Sequence, residues 1–195
     1  MPSGLITSAT LHSLHHKETD KIILTEEIRW AEPGFESVLA FDLLKGNQEK
    51  MFQDHNSILL SEEGARKLFG SADPIGQIIS VKHNWATQGR EIDVAVTGIY
   101  RDYPSNSHFK PQYILNVNAL RNIHDDFNTY MEGSGFQNSN FFENYVVVKP
   151  DADIGEIQKS LKVWGDQMAQ ADSGFVAGGW KIDPFLTKLS ALHFD

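Results

Sequence analysis

The N-terminal histidines come nearest, by residue type and spacing, to a metal site in this chain. His12 and His16 are four positions apart, so a helix would place both imidazoles on one face, which is how paired histidines bind zinc. His15 lies beside them, and Glu18 or Asp20 could add an oxygen ligand. The segment is polar, however, and lacks the His-Glu-x-x-His order that pairs zinc with a general base. We therefore favour a solvated terminal segment and assign no metal ligand.

A serine and a histidine also lie close together in the segment Ser105-Asn106-Ser107-His108. A serine nucleophile of the hydrolase type sits in a Gly-x-Ser-x-Gly elbow, and neither serine has these neighbours. Short runs of Ser and Asn instead form turns, because their side chains hydrogen-bond to nearby backbone groups. The segment therefore predicts a local hydrogen-bonded turn.

Other patterns that could support chemistry are equally weak. Residues 174–179 are glycine-rich, but no helix clearly follows them to donate amides to a phosphate. The Gly-x-x-x-x-Gly-Lys-Ser/Thr pattern of nucleotide loops is absent. Glu26, Glu27 and Asp93 are isolated acids, and sequence separation alone does not pair carboxylates for catalysis. We expect no catalytic residue and no cofactor, and so no enzyme activity.

Composition describes an acidic, folded chain of 195 residues. Its residues are 41% hydrophobic and 22% charged, which is ordinary for a folded protein. The net charge of -9 disfavours nucleic acid as a partner, because phosphate binding needs clustered Lys and Arg. Cysteine is absent, which excludes disulfides and thiolate sites. No run approaches the ~18 apolar residues of a membrane span, and no signal peptide is visible. The chain is thus either a cytosolic protein or a soluble piece of a larger one.

The first part of the chain gives few clear elements. We expect residues 1–20 to form a frayed start followed by a linker. Residues 21–30 predict a strand, because β-branched residues are frequent there. Glu32-Pro33-Gly34 ends it, and residues 35–44 fit either a short helix or a strand.

Residues 57–70 predict a strand and a capped helix. A buried strand over residues 57–60 leads to Ser61, which can cap the next helix, and Gly70 can end it in a left-handed conformation. Leu68 and Phe69 fall on the apolar face of that helix.

An antiparallel hairpin is expected to follow. Pro74 and Gly76 form a tight turn, after which residues 78–82 and 92–100 alternate as two strands around a polar loop. Gly98 inside the second strand indicates a bulge or a close backbone approach.

The remaining elements are placed by pattern as well. The expected order is a loop over residues 102–111, a strand over 113–117, a short helix or turn over 118–123, an aromatic-rich packed loop over 125–142, a strand over 145–148, a helix over 154–171 and a strand over 180–189. Asp153 caps the long helix, whose apolar stripe includes Leu161, Trp164 and Met168. Strands and helices mix without steady βαβ alternation, so the fold class is α+β.

Several of these segments together resemble a known family. ARKLFG, DPIG and VTGIYRDYPSNSHF are similar, in this order, to the MacB-type periplasmic core domain of FtsX/MacB-like ABC transporter permeases, especially those of Bacteroidetes-like bacteria. The flanking segments GFESVLAFDLLKGN, NYVVVKPDADIGEIQKSL and FLTKLSALHF agree with it, so the likeness covers about residues 34–194. Gln77 and Tyr103 depart from the usual Lys and Phe. The positions of this chain that match the family motifs are Ser61, Leu68, Phe69, Gly70, Pro74, Gly76, Gly98, Pro104, Ser107 and His108.

The resemblance implies a two-lobed domain. By that likeness residues 57–111 form an inserted β-rich lobe with a short helix, and residues 21–56 and 112–195 form a porter-like βαβ lobe. Residues 1–20 remain an N-terminal linker or remnant. Family ectodomains have a longer front part, so we expect the chain to be a fragment.

The resemblance also implies the function. We expect a non-catalytic periplasmic domain on the outer side of the bacterial inner membrane, which transmits ATP-driven motion and contacts lipoprotein, peptide or drug cargo. The implied partners are its own transmembrane helices, an ABC ATPase, a second permease copy and a periplasmic or outer-membrane protein. The alternatives are a free-standing extracytoplasmic ligand-binding or adhesion module and a metal-dependent hydrolase that uses the N-terminal histidines.

Overall fold

A large β-sheet organises most of the chain. The computed structural model describes residues 3–7, 11–39, 41–84, 86–107, 109–123, 142–171, 173–179 and 181–189. The chain divides into two compact units, residues 1–147 and 148–195. The described part of the first unit contains ten strands and one α-helix, and that of the second contains two α-helices. Across the described residues, no helix is long and apolar enough to cross a membrane.

The strands of the first unit are β1 (Ser3–Thr7), β2 (His12–His16), β3 (Lys21–Thr25), β4 (Ile28–Ala31), β5 (Leu43–Gly46), β6 (Ser57–Ser61), β7 (Ile78–Lys82), β8 (Glu91–Tyr100), β9 (Tyr113–Asn116) and β10 (Phe142–Tyr145). Helix α1 spans Glu62–Phe69, and short 3₁₀ turns span Phe35–Ser37 and Val117–Asn122. The strand order is β10-β1-β4-β9-β6-β8-β7-β2-β3, and β5 also pairs with β8.

The sheet is mixed in direction. β4 with β9 and β6 with β8 are parallel pairs, whereas the other neighbours are antiparallel. Helices are few and do not alternate with the strands. The predicted α+β class is therefore confirmed.

Strand β6 lies at the centre of the sheet, and all five of its residues are buried. Ile58 and Leu60 belong to one apolar cluster with Trp30 and Leu115, whereas Leu59 belongs to a second cluster. Because successive side chains of a strand point to opposite faces, both faces of the sheet are covered around β6.

The predicted β7–β8 hairpin is present. Its register runs from Ile78 opposite Ala95 to Lys82 opposite Glu91. The turn that leads into β7 also forms as expected: Gln77 donates its backbone N–H to the carbonyl of Pro74 at 3.0 Å, and Gly76 has a φ of 80°. Proline supplies the fixed φ and glycine the positive one that such a turn requires.

The N-terminal segment differs from the expected linker. Residues Ser3–Thr7 and His12–His16 are strands, so that prediction is wrong for them. β1 pairs with β4 and β10, and β2 pairs with β3 and β7. The partners that order these strands are distant in the chain, and a local pattern does not reveal them.

Three further strand predictions need correction. The strand expected over residues 21–30 is two strands, β3 and β4, separated at Glu26 and Glu27. β3 pairs with β2, whereas β4 pairs with β1 and β9. A strand was predicted over residues 145–148, but β10 ends at Tyr145. A second strand was predicted over residues 180–189, but residues 181–188 have no regular secondary structure.

The second unit contains α2 (Ile154–Ala171) and α3 (Ser173–Gly178). The predicted long helix and its cap are confirmed, since Asp153 Oδ1 accepts the backbone N–H groups of Gly155 and Glu156 at 2.8 and 3.2 Å. Its apolar stripe is half-buried rather than buried, and Ile154 is exposed. The glycine-rich residues after α2 form most of α3 instead of a simple helix end.

The division into a porter-like lobe and an inserted lobe stays a prediction. Strands from both predicted lobes lie side by side in the sheet, as β6 does with β9. The loop expected to pack over residues 125–142 lies outside the described residues except for Phe142.

Candidate functional site

One motif position, Ser61, lies in a cluster of hydrogen bonds where β6 and β8 end. Ser61 and Tyr100 are partners in the last step of this parallel pair, so α1 and the loop of residues 101–112 leave the sheet side by side. We call this region, built from Ser61, Glu63, Tyr100, Asp102 and Gln112, the junction.

The amino end of α1 is held by two side chains of the junction. Ser61 Oγ accepts the backbone N–H of Gly64 at 3.1 Å, and Asp102 Oδ1 accepts that of Glu63 at 3.0 Å. The backbone N–H of Ser61 donates to the carbonyl of Gln112 at 2.8 Å. These bonds occupy amides that an isolated helix would leave unpaired. The helix start therefore serves as an anchor for the loop and not as an anion site.

The loop is also fixed by aromatic side chains. Tyr100 is fully buried and donates its hydroxyl to the carbonyl of Pro111 at 2.7 Å. The ring of Tyr103 meets the edge of Phe109 at a centroid distance of 5.1 Å. Burial raises the pKa of both tyrosines above the ordinary value, so both hydroxyls stay protonated.

The predicted turn at Ser107 is present. The backbone N–H of Ser107 donates to the carbonyl of Pro104 at 2.8 Å, and its Oγ donates to the carbonyl of Phe109 at 2.7 Å. The hydroxyl is thus engaged with backbone in a local turn. His108 lies outside the described residues.

Gly98 marks a bulge, as its position inside a strand predicts. The register between β6 and β8 shifts between Ile58 and Leu59, which oppose Val96 and Gly98. A Cβ on Gly98 would lie 2.8 Å from Leu43 Cδ1 and 2.9 Å from Leu59 Cδ2. Glycine is needed here because β5 and β6 approach the same residue of β8 from opposite sides.

The other motif positions shape element ends and the core. Gly70 ends α1 with a φ of 64°, and Leu68 is buried in the core cluster on that face. The Phe69 ring packs on His16 at a centroid distance of 4.6 Å. Pro74 is buried, and Gly76 donates its N–H to the carbonyl of Val96 at 2.8 Å. Ser61 lies in the junction, and the other described motif positions are spread along the first unit.

The histidines do not assemble a metal site in this structure. They lie on strand β2, so His12 and His16 share its buried face, whereas His15 points to the other face and contacts Asp20 at 3.1 Å. Trp30 donates its indole N–H to His12 Nε2 at 3.5 Å. In the part of the chain that the structure describes, no three His, Asp or Glu side chains are grouped closely enough to hold a metal.

Sequence reasoning missed two residues that the structure brings into prominence. Asp102 caps a helix 39 positions earlier in the chain, and His83 stacks on His12 at a centroid distance of 4.1 Å. No short-range pattern could have identified either contact, since each joins segments far apart in the sequence.

Two surface depressions among the described residues offer little to a small ligand. One of about 340 Å³ lies between the start of the first 3₁₀ turn and residues 48–53, and another of about 650 Å³ lies along α2 and α3. Lys50 and Glu49 line the first, and Lys162 and Asp166 line the second. Their open, mixed linings lack the enclosed apolar character of a small-molecule pocket.

Residues 6–163 match the family model of the MacB-like periplasmic core domain. None of the curated proteins compared with this chain gives a match.

Two solved structures share the fold. A domain of a permease protein from Porphyromonas gingivalis has a TM-score of 0.59 and 19% identity, over 88% of this chain and 69% of that one. The periplasmic region of MacB from Actinobacillus actinomycetemcomitans has a TM-score of 0.57 and 12% identity, over 97% of this chain and 72% of that one.

Proposed function

Because the chain belongs to the family of MacB-like periplasmic core domains of ABC transporter permeases, we propose that it transmits ATP-driven motion and contacts exported cargo. In this proposal the domain performs no catalysis, faces the periplasm from the inner membrane and is moved by its own transmembrane helices. An ABC ATPase supplies the energy, and a second copy of the permease faces it.

The observation that carries the proposal is the continuity of the sheet around β6 and β8. Both strands are hydrogen-bonded to neighbours on each side, and one runs directly into α1 while the other runs into the loop of the junction. A sheet of this kind resists deformation, since displacing one strand requires breaking a row of backbone hydrogen bonds. It can therefore move as a body when force acts at one edge.

The junction supports the same role. Its bonds tie the start of α1, the loop and the start of β9 together through Asp102, Tyr100 and Gln112. All of them use side chains or backbone groups to anchor one element on another. This favours a mechanical role over a chemical one.

A spin-label experiment in the assembled transporter tests the proposal. The chain has no cysteine, so Glu91→Cys, at an exposed position of β8, gives one label in each copy of this domain. The full permease with its ATPase, free of other reactive cysteines, is reconstituted in nanodiscs, and distances between labels are measured without nucleotide and after vanadate trapping with ATP. We expect a distance distribution between two copies that shifts on trapping.

The matched control carries the same label and an ATPase that does not bind ATP. This variant cannot form the vanadate-trapped state, so any shift should be smaller or absent. A distribution identical in both nucleotide states would contradict motion transmission, and the absence of any inter-copy distance would contradict the second copy.

A further inference from the structure

A buried pair of histidines joins two hairpins of the sheet. The register of β2 with β7 places Ser13 opposite Lys82, so the next step of the ladder brings His12 opposite His83. Both side chains point to the buried face, at 0% and 3% exposure. Their rings stack with centroids 4.1 Å apart and planes inclined by 20°.

The hydrogen bonds of the pair place a donor opposite one nitrogen of each ring. The backbone N–H of Ala86 donates to His83 Nδ1 at 2.8 Å, so this nitrogen carries a lone pair. The indole N–H of Trp30 donates to His12 Nε2 at 3.5 Å, so this nitrogen also accepts. A proton on either nitrogen would convert the acceptor into a donor that faces another donor.

We propose that the His12–His83 stack is an acid-sensitive latch, which holds the β2–β3 hairpin on β7 while both rings are neutral and releases it when a ring is protonated. Release is local because β2 and β3 lie at the end of the strand order and only three residue pairs join β2 to β7. Outer strands with few pairs open more readily than the centre of a sheet. The latch belongs to the folded chain and does not depend on the transport role.

The surroundings of His83 favour the neutral ring. The titratable group stacked on it is His12, from β2, and a charged pair of rings at this distance would repel. On its own hairpin Lys82, Arg90 and Glu91 are exposed. Desolvation by burial lowers the pKa of His83 below its ordinary value.

The direction of the pH effect follows from this. The opened hairpin returns His83 to water, where it binds a proton near its ordinary pKa of about 6.5. In the closed state the ring stays neutral, so the open form binds more protons below that pH. Below that pH, each unit by which the pH falls raises the ratio of open to closed form by up to about tenfold. The increase ends when the pH reaches the lowered pKa of the closed state.

Hydrogen exchange of the wild-type protein between pH 7.5 and 5.0 tests the latch. After correction for intrinsic exchange rates, amides of β2 and β3 should lose protection as pH falls below about 6.5, by up to about tenfold per pH unit. Amides of β6 and β9 should lose much less. Equal loss in all four strands, or none in β2 and β3, would overturn the proposal.

The matched variants are His83→Asn and His55→Asn. Asparagine Oδ1 can accept the Ala86 N–H but does not titrate, so the protection of β2 and β3 should depend less on pH in His83→Asn than in the wild type, with His12 the remaining imidazole of the pair. His55 is exposed, so His55→Asn should behave like the wild type. An unchanged pH response in folded His83→Asn would refute the latch.

Nitrogen NMR of the wild-type imidazoles provides a test that does not require a variant to fold. His83 should show the Nε2–H neutral tautomer and should titrate below about pH 6.5. A ring that titrates at or above its ordinary pKa, or that carries its proton on Nδ1, would contradict the proposal.

Discussion

Gly46 and Gly98 lie opposite each other in the register of β5 and β8. Gly46 has a φ of 107°, and a Cβ at this position would lie 2.5 Å from the backbone oxygen of Thr97. Strands β5 and β8 approach each other closely at this point only because neither glycine has a side chain. The bulge at Gly98 and the attachment of β5 therefore depend on the same pair of glycines.

Gly46→Ala should destabilise the first unit more than Gly34→Ala does. Both positions have a positive φ, which costs an L-residue about 1–2 kcal/mol, but a Cβ on Gly34 meets nothing within 4 Å. The clash at Gly46 is with backbone, so overpacking adds roughly 1–3 kcal/mol. Urea unfolding of the two variants measures the difference, and equal free energies of unfolding would show that β5 can move away at little cost.

Asp102→Ala should lower the free energy of unfolding by about 1 kcal/mol, the usual value of a helix-capping bond. The loss follows because the backbone N–H of Glu63 loses its acceptor. Asp102→Asn is the matched control, since its amide oxygen can accept the same hydrogen bond. If chemical denaturation shows equal losses for the two variants, the negative charge rather than the bond stabilises the junction.

Leu68→Ala should cost about 2–5 kcal/mol, because Leu68 is only 2% exposed in the core cluster and its truncation leaves a cavity. Leu161→Ala and Trp164→Ala should each lower the free energy of unfolding by less than the same truncation of a fully buried side chain would, since the apolar stripe of α2 is half-buried. Thermal and urea unfolding of the three variants ranks their losses of unfolding free energy. A Leu161→Ala loss equal to that of Leu68→Ala would mean that α2 is covered more fully in solution.

Stability should fall as pH rises above about 10. Burial raises the pKa of Tyr100, Tyr103 and Tyr113 in the folded state, so the unfolded chain releases these protons first. The folded state then binds more protons, and its free energy of unfolding decreases with pH. Phenolate absorbance followed together with unfolding should show these tyrosines titrating only as the fold is lost, whereas titration in the folded state near pH 10 would contradict their burial.

Tyr100→Phe examines one of these tyrosines at neutral pH. The substitution removes the donor to the carbonyl of Pro111 and leaves that acceptor unpaired in a buried position. We expect a loss of about 1–3 kcal/mol in urea unfolding at pH 7. A Tyr145→Phe control should lose less, because its hydrogen-bond partner Glu143 is exposed. An unchanged stability in Tyr100→Phe would indicate that water replaces the hydroxyl.

Elements set by local chemistry were predictable. Ser61, the acidic first turn and Gly70 bound α1 as expected, because caps and left-handed glycines act within a few residues. Asp153 and the 3.6-residue apolar period gave α2 its bounds for the same reason. The Pro74–Gly76 turn and the β7–β8 hairpin also depend on neighbouring residues alone.

Elements set by distant pairing were not predictable. The strand identity of His12–His16, the split at Glu26 and Glu27, and the end of β10 at Tyr145 all follow from partners far along the chain. The same distinction applies to the candidate site. The turn at Ser107 was predicted, whereas the capping of α1 by Asp102 was not.

The sequence by itself determined the bounds of α1 and α2, the tight turns, the α+β class and, through the order of its motifs, the family. Only the tertiary structure decided which strands far apart in the sequence are neighbours, because backbone hydrogen bonds carry no residue identity and register is chosen by burial across the whole sheet. That choice placed His12 against His83 and Asp102 against Glu63. The chemistry of these side chains was present in the sequence, but their contacts were not.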